Sequence, residues 1–185
     1  MGYYNGGTIA RLDDADQPDI SGVANQQIER AAAALRNLDI PHLNIEVRPQ
    51  QITIESSIAC DVKELWLEAS KRLQESRIDG VKIVVSAHSV DVVPITTTKL
   101  AVLKTLTDLR PNSTLLAIGD QPRWPGNDSE LLSHEFSLSV DDVDSKPRGV
   151  WNLAPAGVLG SAALRYYLRR VSIRPGYFRL RLASS

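Results

Sequence analysis

Three residues between positions 120 and 128 have oxygen-bearing side chains and a spacing suited to binding a divalent cation. An apolar run at residues 115–118 ends in Gly119-Asp120, and a proline-containing loop then leads to Asn127-Asp128. Hard cations such as Mg²⁺ take oxygen ligands and keep waters or phosphate oxygens at their remaining positions. The alternative is structural, with Asp120 capping a turn and Asn127-Asp128 capping the next helix. The spacing alone does not decide between these two interpretations.

The segments around these residues predict half of a doubly wound α/β sheet over residues 97–185. "TTTKLAVLKTLTDL" is typical of a helix that starts near Thr97 or Thr98, and "STLLAIGD" is typical of a buried parallel strand. "DSELLSHEF" predicts a second helix, "FSLSV" a second strand and "GVLGSAALRYYLRRV" a closing helix. Ligands of such sheets bind beyond the carboxyl ends of the strands, which is where Gly119 and Asp120 lie.

Residues 1–96 predict a separate α+β lobe with a duplicated helix-hairpin unit. A helix over residues 23–38, capped by Ser21, precedes two alternating runs at residues 43–47 and 52–55. A second helix, capped by Asp61, carries an apolar stripe and is followed by two further β-rich runs in "VKIVVSAHSVDVVPI". The stripe consists of Val62, Leu65, Trp66, Ala69 and Leu73. One four-stranded sheet with both helices on one face is the economical packing of this pattern.

Composition restricts the class of partner and the compartment. The chain has 185 residues, 43% of them apolar and 23% charged, with a formal net charge of −1. This balance gives no reason to expect a nucleic-acid or membrane partner. Cys60 is the only cysteine, and the sequence has no signal peptide pattern and no apolar run of membrane-spanning length. We therefore expect a cytoplasmic protein.

Six arginines near the C-terminus form the one strongly charged segment. The sequence favours a solvated helix face and tail for them over a site for a polyanion. They are Arg165, Arg169, Arg170, Arg174, Arg179 and Arg181.

Two motifs resemble the haloacid dehalogenase (HAD) superfamily of phosphohydrolases. "TTTKLAVLKTL" is similar to the third motif of the family, a lysine at a helix start, with Lys99 at that position. "LLAIGDQPRWPGNDSELL" is similar to the fourth, with Gly119, Asp120, Asn127 and Asp128 at its Gly-Asp and Asn-Asp positions. The preceding lobe resembles the large cap of Cof-type and sucrose-phosphatase-like members, entered at "YNGG" and left at "DVVPITTTK". The resemblance extends over nearly the whole chain.

The resemblance implies a Mg²⁺-dependent phosphatase that acts on a small phosphorylated metabolite. Asp120 would bind the metal, directly or through water, and Lys99 would neutralise the charge of the nucleophile and the phosphate. Asn127 and Asp128 would order metal-bound water and hold Lys99. A lone lysine at this position would more often be an exposed helix residue; its position relative to the later motif favours the role in the site.

The spacer "QPRWPG" is longer than in many members of the family. Arg123 and Trp124 lie in this spacer. Two interpretations remain open for Trp124, which either borders the substrate entrance together with Arg123 or pins the loop to the core.

The family's nucleophile motif, an apolar strand ending in Asp-x-Asp, has no counterpart in the sequence. Asp14 and Asp16 have this spacing but lie in a polar loop, and Asp61 has no second Asp two residues later. Ser86 ends a strand but belongs to the cap by its position. Covalent phosphoryl transfer of this kind needs a nucleophile, so we expect no independent turnover from this chain.

Three interpretations of function follow. In the first, the chain is a HAD-like phosphohydrolase whose incomplete core is covered by a partner chain or by a second copy of itself, because missing strands would leave apolar edges. In the second, it is a non-catalytic module that uses this edge for interaction. A complete enzyme with an unrecognised nucleophile is the third and least favoured.

Overall fold

The computed structural model describes residues 2–9, 25–38, 40–57, 61–146, 149–175 and 177–181 of the chain. These belong to two compact units, unit 1 (Met1–Thr98) and unit 2 (Lys99–Ser185). The chain is a mixed α/β protein, as its sequence predicts. Ser21, Cys60 and the Asp14-x-Asp16 pair lie outside the described residues.

Unit 1 contains an antiparallel four-stranded sheet and two helices. Its elements are β1 (Gly2–Tyr3), β2 (Thr8–Ile9), α1 (Gln26–Leu35), β3 (Leu43–Arg48), β4 (Gln51–Ser56), α2 (Val62–Glu75), β5 (Val81–Val85) and β6 (Ser89–Pro94). The strand order in the large sheet is β3-β4-β6-β5, and β1 pairs with β2. The two hairpins therefore meet through β4 and β6, the inner strands.

Side-chain caps set the starts of both helices in unit 1. Asn25 accepts a hydrogen bond from the backbone N–H of Gln27 (2.9 Å), so α1 begins at Gln26 rather than at residue 23. Asp61 accepts one from the N–H of Lys63 (2.9 Å), which confirms the predicted cap of α2.

The core of unit 1 lies between the sheet and the helices. Alternate residues of β4 and β6 face it, as the two-residue period of a strand requires. The helices contribute stripes at helical spacing, including Leu65, Ala69 and Leu73 of the predicted stripe. The buried members are Ile28, Ala31, Ala32, Leu35, Ile52, Ile54, Leu65, Ala69, Leu73, Val90 and Val92.

Unit 2 has short strands and two helices. Its elements are α3 (Leu100–Leu109), β7 (Ala117–Gly119), a 3₁₀ turn (Leu131–Ser133), β8 (Ser137–Ser139), α4 (Gly160–Arg170), β9 (Val171–Arg174) and β10 (Tyr177–Leu180). Strands β7 and β8 pair in parallel, and β9 and β10 form an antiparallel hairpin. Of the predicted doubly wound sheet, the described residues supply these two parallel strands.

Two predictions for unit 2 are wrong. "DSELLSHEF" forms only one 3₁₀ turn, because the Asp128 carboxylate, which in the structural alternative would cap a helix, bonds to Lys99 and to the Asp120 N–H instead. The residues after α4 are a hairpin and not a tail. The alternation of apolar and polar residues in "VSIR" and "YFRL" is the sequence signal of these two strands.

The hydroxyl of Tyr167 in α4 takes part in several hydrogen bonds in the small core of unit 2. Its side chain is fully buried, and its hydroxyl can donate to the Ser139 carbonyl (2.9 Å) or to Asn152 Oδ1 (2.7 Å). The hydroxyl accepts from the N–H groups of Leu153 (2.7 Å) and Ala154 (3.2 Å). Burial raises the pKa of Tyr167, so the hydroxyl stays protonated. It thereby ties the end of β8 to the segment that leads into α4.

Within the described residues, no helix combines the length and the apolar character that crossing a bilayer would require.

Candidate functional site

The site is built around the carboxyl end of β7, where the backbone approaches the side chain of Asp128. A Cβ atom on Gly119 would overlap the Asp128 carboxylate, with its Cγ only 2.7 Å away. The N–H of Asp120 donates to Asp128 Oδ2 at 2.9 Å. Glycine at position 119 therefore allows the Asp128 carboxylate to lie directly against the strand end.

Lys99 donates a hydrogen bond to the other oxygen of the Asp128 carboxylate. Its Nζ donates to Asp128 Oδ1 at 2.5 Å, and the two side chains are 24% and 10% exposed. Lys99 lies immediately before α3, in helical conformation, and makes no capping bond with its side chain. A single carboxylate thus links the start of α3 to the end of β7 and fixes the position of the ammonium group.

The two aspartates of the site have pKa values shifted in opposite directions. Burial raises the pKa of Asp120 above its ordinary value, and the adjacent Asp128 carboxylate raises it further. Burial alone would also raise the pKa of Asp128, but the ammonium of Lys99 and the hydrogen bonds that Asp128 accepts lower it overall. Asp128 is therefore the stable anion of the pair, whereas the Lys99 ammonium offsets only part of the rise in the pKa of Asp120.

Asn127 presents a buried oxygen next to these groups in sequence. Its Oδ1 has no hydrogen-bond partner within the described part of the chain. A buried acceptor left unpaired is costly, so such an atom indicates a place where a ligand or water is expected.

The loop between Asp120 and Asn127 is tight and anchored at Arg123. A Cβ on Gly126 would lie 2.5 Å from the Gln121 carbonyl oxygen and 2.6 Å from that of Arg123. The Arg123 Nε donates to the Val143 carbonyl at 2.8 Å. The peptide bond between Trp124 and Pro125 is cis, and Trp124 is 57% exposed. Trp124 therefore does not pin the loop to the core, and Arg123 holds it instead.

Asp141 and Asp142 are two further carboxylates that follow a strand. They follow β8 closely, and β8 runs parallel to β7, so they lie at the same edge of the sheet as Asp120. Both are exposed, and the N–H of Asp141 donates to Ser139 Oγ at 3.1 Å. The run "FSLSVDD" carries the same signal as "LLAIGD", an apolar strand followed by acid, and could have identified them.

The donor set is compatible with Mg²⁺ but supplies only part of a coordination shell. The described residues contain no group of three or more His, Cys, Asp or Glu side chains placed to hold a metal ion. Mg²⁺ is usually held by one or two carboxylates, with waters and phosphate oxygens as the remaining ligands. Asp120 and the unpaired Oδ1 of Asn127 are oxygens of the required kind.

Comparisons with known proteins give likenesses of fold at low sequence identity. No family model and no curated protein matches the chain. The solved structure of sucrose-phosphatase from Synechocystis, in complex with sucrose and phosphate, is similar to it with a TM-score of 0.49 and 18% identity. That alignment covers 76% of this chain and 61% of the other.

Trehalose-6-phosphate phosphatase from Aspergillus fumigatus is also similar, in two crystal forms. The TM-scores are 0.37 and 0.36 at 17% identity, and 75% of this chain and 56% of the other are covered. Sucrose-phosphatase and trehalose-6-phosphate phosphatase are both phosphatases of the HAD superfamily. The chain spans less than two thirds of the length of each of these structures.

Proposed function

We propose that unit 2 carries one wall of a HAD-like, Mg²⁺-dependent phosphatase site that acts on a small phosphorylated metabolite. The observation that carries the proposal is the Asp128 carboxylate, which binds Lys99 with one oxygen and the N–H of Asp120 with the other. The motif resemblance around Lys99, Asp120, Asn127 and Asp128 supports the same assignment.

Each residue of this wall has a distinct task in the proposed site. Lys99 supplies a fixed positive charge for a phosphoryl group, and Asp128 holds the ammonium in position. Asp120 and Asn127 offer oxygens to Mg²⁺, which when bound neutralises charge on phosphate oxygens. Because Asp128 already uses both carboxylate oxygens on protein donors, it is a positioning residue and Asp120 is the metal ligand.

The opposite wall of the proposed site needs a nucleophile, and the open edge of β7 is suited to receive it. Ala117 and Gly119 bond to β8, so the N–H and C=O of Ile118 point to the other side of the strand. Within the described residues no strand pairs with that side. We propose that an apolar strand ending in Asp-x-Asp, from a segment beyond these 185 residues or from another chain, pairs there in parallel.

This pairing would bring the missing carboxylates next to Asp120, because parallel strands end at the same edge of a sheet. Unsatisfied backbone groups at a strand edge favour the addition of a strand. The edge thus offers both the hydrogen bonds and the position that a nucleophile strand requires.

The metal site can be tested by NMR titration of the full chain with MgCl₂ in the presence of orthophosphate. We expect amide shifts at residues 119–120 and 127–128, and their loss in Asp120→Asn. Asp108→Asn, which removes an exposed carboxylate of α3 in the same unit, is the matched control and should leave the titration unchanged. An unchanged response in Asp120→Asn would contradict the proposed metal ligand.

A second candidate is a non-catalytic interaction module that uses the same open edge. The observation in its favour is α3, which has no buried residue although its sequence is largely apolar. Both candidates require that the edge of β7 is exposed and able to bind a further strand or chain. Sedimentation velocity tests this requirement. A stable, monodisperse monomer at high protein concentration would argue against an exposed binding edge. The metal titration then separates the two candidates, because a module that keeps only a relic of the site would give no specific response.

A further inference from the structure

The C-terminal hairpin of β9 and β10 has one apolar and one cationic face. Residues directly opposite in an antiparallel pair share a face, and successive residues alternate between faces. The register pairs Arg174 with Tyr177 and Ser172 with Arg179, which puts these four side chains on one face. Val171, Ile173, Phe178 and Leu180 occupy the other.

The cationic face surrounds a small concavity of about 160 Å³. Its lining consists of Ser172, Arg174, Tyr177, Arg179 and Arg181. The Ser172 hydroxyl donates across the hairpin to the Arg179 carbonyl at 3.4 Å. The three arginines and Tyr177 carry the other side-chain hydrogen-bond donors of this lining.

The described residues do not neutralise the positive charge of this face through ion pairs. None of the three arginines forms an ion pair with a described residue, whereas Arg48 is paired with Glu46 at 2.6 Å. The surrounding sequence offers no acid either, because residues 145–185 contain eight Lys or Arg and no Asp or Glu. Three like charges around one concavity repel one another, so a bound anion would stabilise this arrangement. A merely solvated surface usually mixes both signs of charge.

We propose that the cationic face of the hairpin binds the phosphate or pyrophosphate group of a small anion. Guanidinium groups present forked N–H donors that match tetrahedral oxyanions in bidentate geometry. The concavity has the volume of about five waters at roughly 30 Å³ each, which suits a group of a few heavy atoms better than an extended polymer. The site is separate from the Lys99–Asp128 pair and does not depend on the proposed phosphatase function.

The test is a ¹⁵N–¹H NMR titration of the full chain with pyrophosphate in metal-free buffer at constant ionic strength. We expect shifts at residues 172, 174, 177 and 179. Loss of one charge-assisted hydrogen bond in Arg179→Gln should weaken binding about tenfold. Arg165→Gln removes the same charge from an exposed position on α4 and should change the affinity by less than about twofold, as surface charges away from a site do.

Further titrations distinguish the sources of the anion and protect the test against a misfolded variant. Orthophosphate and glycerol 3-phosphate separate a free inorganic ion from a phosphate ester, and binding of either supports the site. Arg181→Gln provides a second variant with the same expected direction. Equal weakening by Arg179→Gln and Arg165→Gln would overturn the proposal, because it would mean a response to overall charge alone. Shifts confined to residues 99, 120 and 128 would overturn it, and so would binding of a short oligonucleotide without any response to pyrophosphate.

Discussion

Units 1 and 2 bury very different amounts of apolar side chain. Counting described residues only, the principal core cluster of unit 1 has eleven buried members around a four-stranded sheet, and the inner strands β4 and β6 are each paired on both sides. On the same count the cluster of unit 2 has four, Leu138, Val140, Ala163 and Tyr167, beside a two-stranded parallel sheet. The candidate site lies in the unit with the smaller core.

The surface of unit 2 also exposes more large apolar side chains than the surface of unit 1. Among the described residues, four exposed large apolar side chains belong to unit 1 and twelve to unit 2. Helix α3 shows this most clearly, since Leu106 is 42% exposed and Leu109 is 61% exposed. Parallel sheets in proteins are normally covered on both faces. The exposed apolar side chains of unit 2 are consistent with the second wall that we propose.

The largest expected effect is a difference in stability between a substitution in the core of unit 1 and one in α3 of unit 2. Ile54→Ala should destabilise the chain by about 2–5 kcal/mol, because it leaves a cavity at a fully buried position of unit 1. Leu106→Ala in α3 should change stability by less than about 0.5 kcal/mol. Urea unfolding followed by circular dichroism measures both. Similar losses in the two variants would mean that α3 is packed as well as the sheet of unit 1.

A smaller effect is expected from Gly119→Ala at the site itself. The new methyl group would overlap the Asp128 carboxylate, and overpacking of this kind costs about 1–3 kcal/mol. Displacing Asp128 also releases Lys99, so NMR should show shifts at both residues. Gly157→Ala is a control at a positive-φ glycine with open space around it; it strains the backbone but should leave these signals unchanged. Unperturbed Lys99 and Asp128 signals in Gly119→Ala would contradict the described packing.

The sequence predicted the elements of unit 1 better than those of unit 2. Asp61 and the stripe of α2 follow local rules of capping and period, and the structure agrees with both. The helix predicted after Asn127 failed because Asp128 binds Lys99, 29 positions earlier in the chain, and local rules cannot include such a partner. Lys99 and Asp128 were assigned to one site by family resemblance, since no spacing rule connects residues so far apart. The unpaired oxygen of Asn127 was visible only in the structure.

The smallest effect is a pH dependence of stability in unit 2. The pKa of Asp128 in the folded chain lies below its ordinary value of 3.8, so the stabilisation it provides is present above that value. It is lost as the pH falls through the lowered pKa. Asp120 has a raised pKa, so its contribution to the pH dependence of stability has the opposite sign. Protonation of Asp120 as the pH falls removes an unfavourable charge and stabilises the folded chain. Unfolding measured against pH should show a weaker acid loss in Asp128→Asn than in the wild type, and an equal loss would contradict the lowered pKa.

Hydrolysis of p-nitrophenyl phosphate with Mg²⁺ tests most directly the claim that this chain holds one wall of a phosphatase site and lacks the nucleophile. The purified chain should release no phosphate above the level of an Asp120→Ala control, because in the proposed site Lys99, Asp120, Asn127 and Asp128 would provide charge and metal ligands but no attacking group. Clear turnover by the wild-type chain that Asp120→Ala abolishes would contradict the claim. It would show that the nucleophile lies within these 185 residues.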